Sequence, residues 1–566
     1  MPSTLQPSRA SADPTAAAAA AAVIDATAQP QPLAPGLAAE VAALLGPKGW
    51  LTDAATLTLA AHDIFHDAPN APLAVLRPAS VDSLAQAVAR LTAAGIALAP
   101  RGGGMSYTAG YLPPVPRWVC VDTTRLNRVL EVNLQDLFIT VQAGCTWAQV
   151  REALAGSGFT TPYGGPLSGL RATVGGALSQ NSMFFGAGQH GAASESVLGL
   201  EVVLADGRLM TTGSAALAAG NSGESSTPFA RWGGPDLTGA FLGDCGAFGI
   251  KAAATLRLVP APAEQGYASY GFPDIASMVN AQVALMRAGL GSECFGIDAY
   301  KAVNSAQTGN KLAQVTGGVK TLAQVARAGG AEAGLLAGVK AAASVALAGT
   351  QYLGVHPYSI HLALDGDSPA QVAQRLARVA ALCEAHAGTA QPASVPQVLR
   401  SMPFQPLRSV LGHDGSRWVP LHAILPLSRA LAAVQACEAL FERHVAAMRS
   451  LGVVYSPLTA NLDRAFLYEP CFYWPDTIKP LHVDVLGPAI TAPWMQRPAA
   501  PESLVLVQRL WRDAVDLLDG FGAVHFQVGR AYPYFGRLAP TTAAWVKALK
   551  AELDPRGLMN PGALGL

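Results

Sequence analysis

The chain has 566 residues, enough for more than two folding units and a large buried core. Hydrophobic residues make up 51% of it and charged residues 13%, an apolar balance for a protein with no evident membrane span. Lysine plus arginine equals aspartate plus glutamate at 38 each, and no basic stripe is present, which argues against nucleic acid as a partner.

In chain order, residues 1–37 read as a disordered tail of Ala, Pro, Ser and Thr with an alanine run at Ala16–Ala22. An export signal is the competing reading, since Arg9 precedes the run and Ala26-Thr27-Ala28 follows it. Asp13 and Asp25 flank a weakly apolar core, so a cytoplasmic location is the expectation. A helix is predicted over Val81–Ala94 and a strand over Ile96–Ala99. That strand runs directly into Arg101-Gly102-Gly103-Gly104-Met105-Ser106-Tyr107. Strands follow at Trp118–Asp122, Val129–Val132 and Phe138–Gln142, then a helix from Thr146 to about Ala155. Pro162 to Gly191 is glycine-rich and read as irregular. Val197–Leu204, the turn Ala205-Asp206-Gly207 and Arg208–Thr212 give a hairpin signal.

The middle of the chain, 266–499, changes character. Ser359–Leu364, Gln371–His386, Trp418–Leu425 and Leu427–Ser450 read as strand, helix, strand, helix, a pattern suited to antiparallel sheet with helices on it. The Ala-rich stretch 310–350 within it reads as a buried helical excursion. The final part carries a helix at Glu502–Asp519, a strand at Ala523–Val528 and a helix at Thr541–Glu552. The seven cysteines are dispersed and form no CxxC pair, so neither a disulfide framework nor a zinc site is expected.

Three consecutive glycines after a strand free the backbone to turn successive N–H groups inward, as an anion such as a pyrophosphate requires. Thr173-Val174-Gly175-Gly176-Ala177-Leu178-Ser179 repeats the theme with hydroxyls on either side, and Gly164-Gly165-Pro166, Gly186 and Gly188 add to it. Each alone is an ordinary turn. Together, in one half of the chain, they argue for a cofactor.

The series Arg-Gly-Gly-Gly-x-Ser, Thr-Val-Gly-Gly, Leu198–Gly207, Asp236–Phe241, Gly246–Ile250 and the closing Leu-Asp-Pro-x-Gly-Leu-Met-Asn-Pro-Gly resembles the p-cresol methylhydroxylase/vanillyl-alcohol oxidase family of FAD enzymes. The resemblance covers about 70–260 and 500–566, with the middle matching in outline. It implies an α+β fold: a two-subdomain FAD-binding domain (38–265), an inserted antiparallel-sheet-plus-helix substrate domain (266–499) and a C-terminal segment (500–566) returning to the FAD domain. It implies FAD held by Arg101, Gly102, Gly103, Gly104, Met105 and Ser106 at the pyrophosphate. Gly165, Ser168, Thr173, Gly176 and Ser179 would lie along the dinucleotide, Val202 and Ile250 at the adenine end, and Asn560 in the returning segment. The catalytic candidates are Arg530, His525, Tyr107, Tyr473 and His422.

Three departures matter. Met105 stands where many relatives have a histidine, which in some attaches FAD, so dissociable FAD is expected. Tyr468 is the candidate for a covalent link from the substrate domain. The His-x-Gly-Asp-Gly-Asn-x-x-His pattern of related 2-hydroxy-acid dehydrogenases is absent, Leu364-Asp365-Gly366-Asp367 lacking the histidines, and no metal is expected. The acidic residue that phenol-oxidising relatives carry beside the flavin is not evident in Pro162–Leu170. The expected activity is oxidation of an alcohol or alkylphenol-like aromatic compound by hydride transfer to flavin N5, with dioxygen or an electron-transfer protein as acceptor. A 2-hydroxy-acid dehydrogenase, a non-redox flavin lyase or transferase and a non-catalytic flavin-binding subunit are the alternatives. The partners implied are a small organic substrate and the acceptor, and a homodimer is left open.

Overall fold

The computed structural model describes residues 33–217, 227–302, 355–404 and 410–566. Most of the predicted tail and the whole Ala-rich stretch 310–350 lie outside the described residues.

The N-terminal half holds two sheets. In the first, β1 (Trp50–Leu51), β2 (Val75–Leu76), β3 (Ala97–Arg101) and β4 (Trp118–Asp122) lie in the order β1-β2-β4-β3, with β2, β4 and β3 parallel. Helix α1 (Pro35–Leu45) and helix α2 (Val81–Ala93) pack together against it. Ser80 and Ser83 form a reciprocal cap at the start of α2. Its buried residues Leu84, Ala87, Val88 and Leu91 recur at helical spacing and meet Leu98, Val119 and Val121 of the sheet.

The second sheet is antiparallel, in the order β5-β6-β10-β8-β9, from β5 (Val129–Asn133), β6 (Phe138–Gln142), β8 (Val197–Val203), β9 (Leu209–Thr211) and β10 (Ile250–Arg257). Its central strand β10 is buried along almost its whole length, its one buried charge, Lys251, being paired with Asp244. A short pair, β7 (Phe159–Thr160) with β11 (Val259–Pro260), closes this half.

The middle of the chain builds an eight-stranded sheet, β15-β12-β14-β13-β18-β19-β16, with β17 also paired to β19. The strands are β12 (Glu264–Phe272), β13 (Glu293–Asp298), β14 (Tyr358–Gly366), β15 (Thr389–Gln391), β16 (Arg417–Pro420), β17 (Ala423–Pro426), β18 (Val454–Leu462) and β19 (Ala465–Trp474). Every pairing is antiparallel. Helices α4 (Ile275–Arg287), α5 (Pro369–Glu384), α6 (Ala430–Glu442) and α7 (Pro501–Gly520) pack on it and on one another. None of the described helices is long and apolar enough to cross a membrane.

Several boundaries differ from the sequence reading for physical reasons. Within 162–191 there is a helix, α3 (Val174–Gln180), whose N-cap Thr173 accepts from the Gly176 N–H. The stretch 523–528 is no strand. Gly522, Gln527 and Gly529 all take positive φ, at 75°, 53° and 55°, which a ladder does not accommodate, and only Val524 makes a bridge, to Ile424. The predicted strand 418–425 breaks between β16 and β17, where the His422 N–H turns out of the ladder to the Tyr532 hydroxyl. The predicted helix 427–450 divides at Arg443–His444 into α6 and a short helix Val445–Ser450. The last segment also divides. Helix α7 packs on α6, whereas Leu558 and Asn560 exchange backbone hydrogen bonds with Leu98 of β3.

Candidate functional site

The glycine loop 102–104 leaves the end of β3 and lies against the start of α3. A Cβ on Gly103 would stand 1.9 Å from the Arg171 carbonyl oxygen, and one on Gly102 would stand 2.2 Å from Thr173 Oγ1. Only glycine lets these two segments approach so closely. Beneath the loop the Arg101 guanidinium is buried, and its Nε and Nη2 have no hydrogen-bond partner among the described residues. Gly102, Gly103, Met105, Ser106, Ser168, Gly176 and Ser179 keep partial exposure along this seam, while Thr173 and Gly165 are buried. Gly165 takes φ +108° against Trp147. Val202 and Ile250 are 0% and 1% exposed, with their side chains in the two core clusters flanking the second sheet.

The chain continues from the loop into Tyr107, whose ring meets the middle sheet. It packs edge-on to Trp418 at 5.4 Å and lies 5.7 Å from His422. Burial, then the nearby Glu469, raises the Tyr107 phenol well above its ordinary value, so it stays protonated. His422 is fully buried, stacked on Phe526 at 4.2 Å, and both of its ring nitrogens lack a partner among the described residues. Burial and the neighbouring His525 push it down to about 3, so the ring is neutral.

The other candidates fall into place around this pair. His525 faces the His422 carbonyl at 2.7 Å and Asp519 at 2.8 Å, and its ring stacks on Tyr532 at 4.3 Å. It therefore stands behind Tyr532 and orders that wall. The Arg530 guanidinium reaches the carbonyls of Ala109, Asn560 and Pro561 and the Asn560 side chain at 2.6–3.2 Å. Among the described residues no carboxylate pairs with it, and burial lowers it to about 10, which leaves it charged at neutral pH. The Asn560 side chain, 1% exposed, is spent on Gly110, Cys245 and Arg530, so it fastens the returning segment and does not face a ligand. Tyr473 lies on β19 beside Trp418, its register partner on β16.

Tyr468 occupies the opposite face of β19. Its hydroxyl is 2.6 Å from that of Tyr455 and 3.3 Å from Glu438 of α6, and the side chain is 0% exposed. This is the helix-covered side of the sheet, away from Tyr107.

The sequence reading passed over Glu469, Cys471 and Lys301. Glu469, Cys471 and Tyr473 alternate on β19 and so share the Tyr107 side of the sheet. Lys301, just past β13, donates from Nζ to Cys471 Sγ at 3.0 Å. The alternating pattern of β19 carried this signal, but nothing in the sequence told which face was the working one.

The comparisons agree with this geometry. Residues 72–213 match the model of the family described as FAD binding domain. Glycolate oxidase subunit GlcD of Bacillus subtilis is 29% identical over 38% of this chain and 43% of that protein. A mitochondrial D-lactate dehydrogenase of Arabidopsis thaliana is 26% identical over 40% of this chain and 37% of that protein. The chain thus spans less than half the length of these curated relatives. A p-cresol methylhydroxylase solved with substrate bound superposes with TM-score 0.67 at 16% identity, covering 95% of this chain and 98% of that one. An alkyldihydroxyacetonephosphate synthase gives TM-score 0.62 at 15% identity, covering 95% and 86%.

The class these findings define is a flavoprotein with a p-cresol-methylhydroxylase-type fold, α+β in its make-up. Its FAD-binding domain includes residues 72–213, and FAD is its cofactor. The residues present fit that group: a glycine loop held tightly against Arg171 and Thr173, a buried arginine at its base whose Nε and Nη2 lack a hydrogen-bond partner among the described residues, and a buried imidazole whose ring nitrogens lack one.

Proposed function

We propose that the protein is an FAD-dependent oxidoreductase that oxidises an alcohol or an alkylphenol-like aromatic compound, in the cytoplasmic breakdown of aromatic compounds. The observation that carries this reading is the aromatic cluster where the glycine-loop segment meets the middle sheet, formed by Tyr107, Trp418, His422, Tyr473 and Tyr532. Such a surface, apolar with a few convergent polar groups, suits an aromatic guest.

Arg101 to Ser106 would hold the pyrophosphate, with Gly176 and Ser179 along the dinucleotide. FAD, when bound, accepts a hydride at N5 and passes the electrons to dioxygen or an electron-transfer protein. The chain's own residues do the rest. Tyr107 and Tyr532 present phenol hydroxyls that stay protonated and can donate to a substrate oxygen. Arg530 contributes an uncompensated positive charge that favours a developing anion. His525 fixes Tyr532 and the His422 carbonyl. The packed rings exclude water.

A second reading, oxidation of a 2-hydroxy acid, is favoured by the relatives named glycolate oxidase subunit and D-lactate dehydrogenase. Lys301, held at Cys471 on the Tyr107 side of β19, supports it as a cation. Anaerobic mixing of the FAD-loaded protein with 4-alkylphenols, benzylic alcohols, glycolate and D-lactate separates the two. Loss of flavin absorbance with the phenols or alcohols supports the first. Loss with the hydroxy acids alone moves the reading to the second. A flavin that none of them bleaches overturns both. Light scattering on the same sample tests a homodimer.

A further inference from the structure

Glu469 is a half-buried acid with no ion pair among the described residues. Most buried carboxylates in this protein are matched: Asp244 with Lys251 at 2.5 Å, Glu293 with Arg400 at 2.5 Å. Among the described residues the Glu469 side chain accepts one hydrogen bond, from the Cys471 thiol, 3.8 Å from Oε1. Strand alternation points it, with Cys471 and Tyr473, toward Tyr107. Glu469, Lys301 and Tyr107 each keep partial exposure, unlike the fully buried side chains on the other face of β19.

The groups facing Glu469 are Lys301 beyond β13, Cys471 and Tyr473 on β19, Tyr107 after the glycine loop and Tyr532 in the C-terminal segment. Lys301 is the only cation among them. Burial keeps the Cys471 thiol protonated, at about 11, and raises the tyrosines. A neutral, aromatic enclosure with one lysine at its edge is the setting in which a carboxyl can exchange a proton.

We propose that Glu469 is the catalytic proton acceptor of this site, taking the proton of the substrate hydroxyl, and that Lys301 is its positioning charge. The inference rests on the oxidoreductase reading above. The O–H bond breaks and its proton passes to the Glu469 carboxylate. The C–H bond breaks and its electron pair leaves with the hydride to the flavin. The oxygen's freed pair forms the new C=O bond of an alcohol's product, or drives the electron shift of a phenol, and the proton later returns to solvent. Burial raises Glu469 to about 7 and Lys301 opposes the rise, so the carboxyl sits poised near neutrality.

The test uses the FAD-loaded wild type, E469Q and K301M. The infrared band of a protonated carboxyl should titrate near pH 7 in the wild type and vanish in E469Q. With an alcohol or phenol that bleaches the flavin, kcat/KM should show a limb near the same pH. E469Q should lose that limb and fall roughly 10²- to 10⁴-fold at pH 8. K301M should move both the band and the limb to higher pH, because the lysine that favours the carboxylate is gone. FAD content measured on each variant checks that the fold is kept. A limb unchanged in E469Q, or one that K301M moves downward, overturns this inference and leaves the oxidoreductase reading standing. A wild-type flavin that no alcohol or phenol bleaches overturns both.

Discussion

Replacing Asn560 by alanine should loosen the junction that closes the FAD domain. Its Nδ2 donates to the Gly110 carbonyl at 2.7 Å and the Cys245 carbonyl at 2.5 Å, and its Oδ1 accepts from Arg530 at 2.6 Å. Its backbone sits at φ +45°, where asparagine is tolerated and alanine is strained. Stranding two buried carbonyls costs about 1–2 kcal/mol each, and the strain adds about 1–2 kcal/mol. Arg530 keeps its bonds to Ala109 and Pro561, so its own loss is small. The sum is roughly 3–6 kcal/mol. Since every 1.4 kcal/mol is tenfold, local opening should become at least about 100-fold more frequent. Native-state hydrogen exchange reads this directly at the Leu98 and Asn560 amides, which form the junction. Asn560→Gly drops the same three bonds without the strain and should exchange more slowly than Asn560→Ala by roughly tenfold. Exchange at these amides equal in N560A and the wild type would refute the reasoning. So would N560G proving the looser of the two.

Gly103→Ala places a Cβ 1.9 Å from a backbone oxygen that cannot step aside. The variant should purify with little FAD, seen as lost flavin absorbance, and a normal yellow protein would count against the cradle. Tyr468→Phe should leave the partition of yellow between pellet and supernatant after acid precipitation as in the wild type, because Tyr468 points to α6. Flavin that is pellet-bound in the wild type and released in Y468F would contradict that placement. Burial holds His361 and, with His525 beside it, His422 down at about 3, and burial with Arg417 and Lys479 nearby holds His482 at about 2. Above about pH 6.5 these groups are neutral in both states and contribute no pH dependence. As pH falls below it, the unfolded chain takes up protons that the fold refuses. Stability should drop at up to about 4 kcal/mol per pH unit for three such groups. Denaturant unfolding at stepped pH measures this, and a free energy level from pH 6.5 to 4.5 would be inconsistent with neutral buried imidazoles.

The sequence alone determined the cofactor half of this protein. A glycine loop has to follow a strand, because that is a local backbone requirement that residue type states openly, whereas the helix that Thr173 caps was hidden among glycines that read as irregular. The β–α alternation up to Ile250, the antiparallel middle and the long helix 501–520 were legible for the same reason, since hydrophobic period is local. The fold around 523–532 was not. Its strand-like composition was overruled by left-handed residues at 527 and 529, the latter packed so closely on Thr108 that a Cβ would stand 2.1 Å from its oxygen. The proposed aromatic site was legible only in part. Tyr107 and Tyr473 were singled out as isolated aromatics, but Glu469 and Lys301 are separated by 168 positions along the chain and meet only because β19 and the end of β13 lie in one sheet. Which face of β19 meets Tyr107, and which is spent on α6, was decided by packing. The strand's own alternation is the same whichever way it is turned.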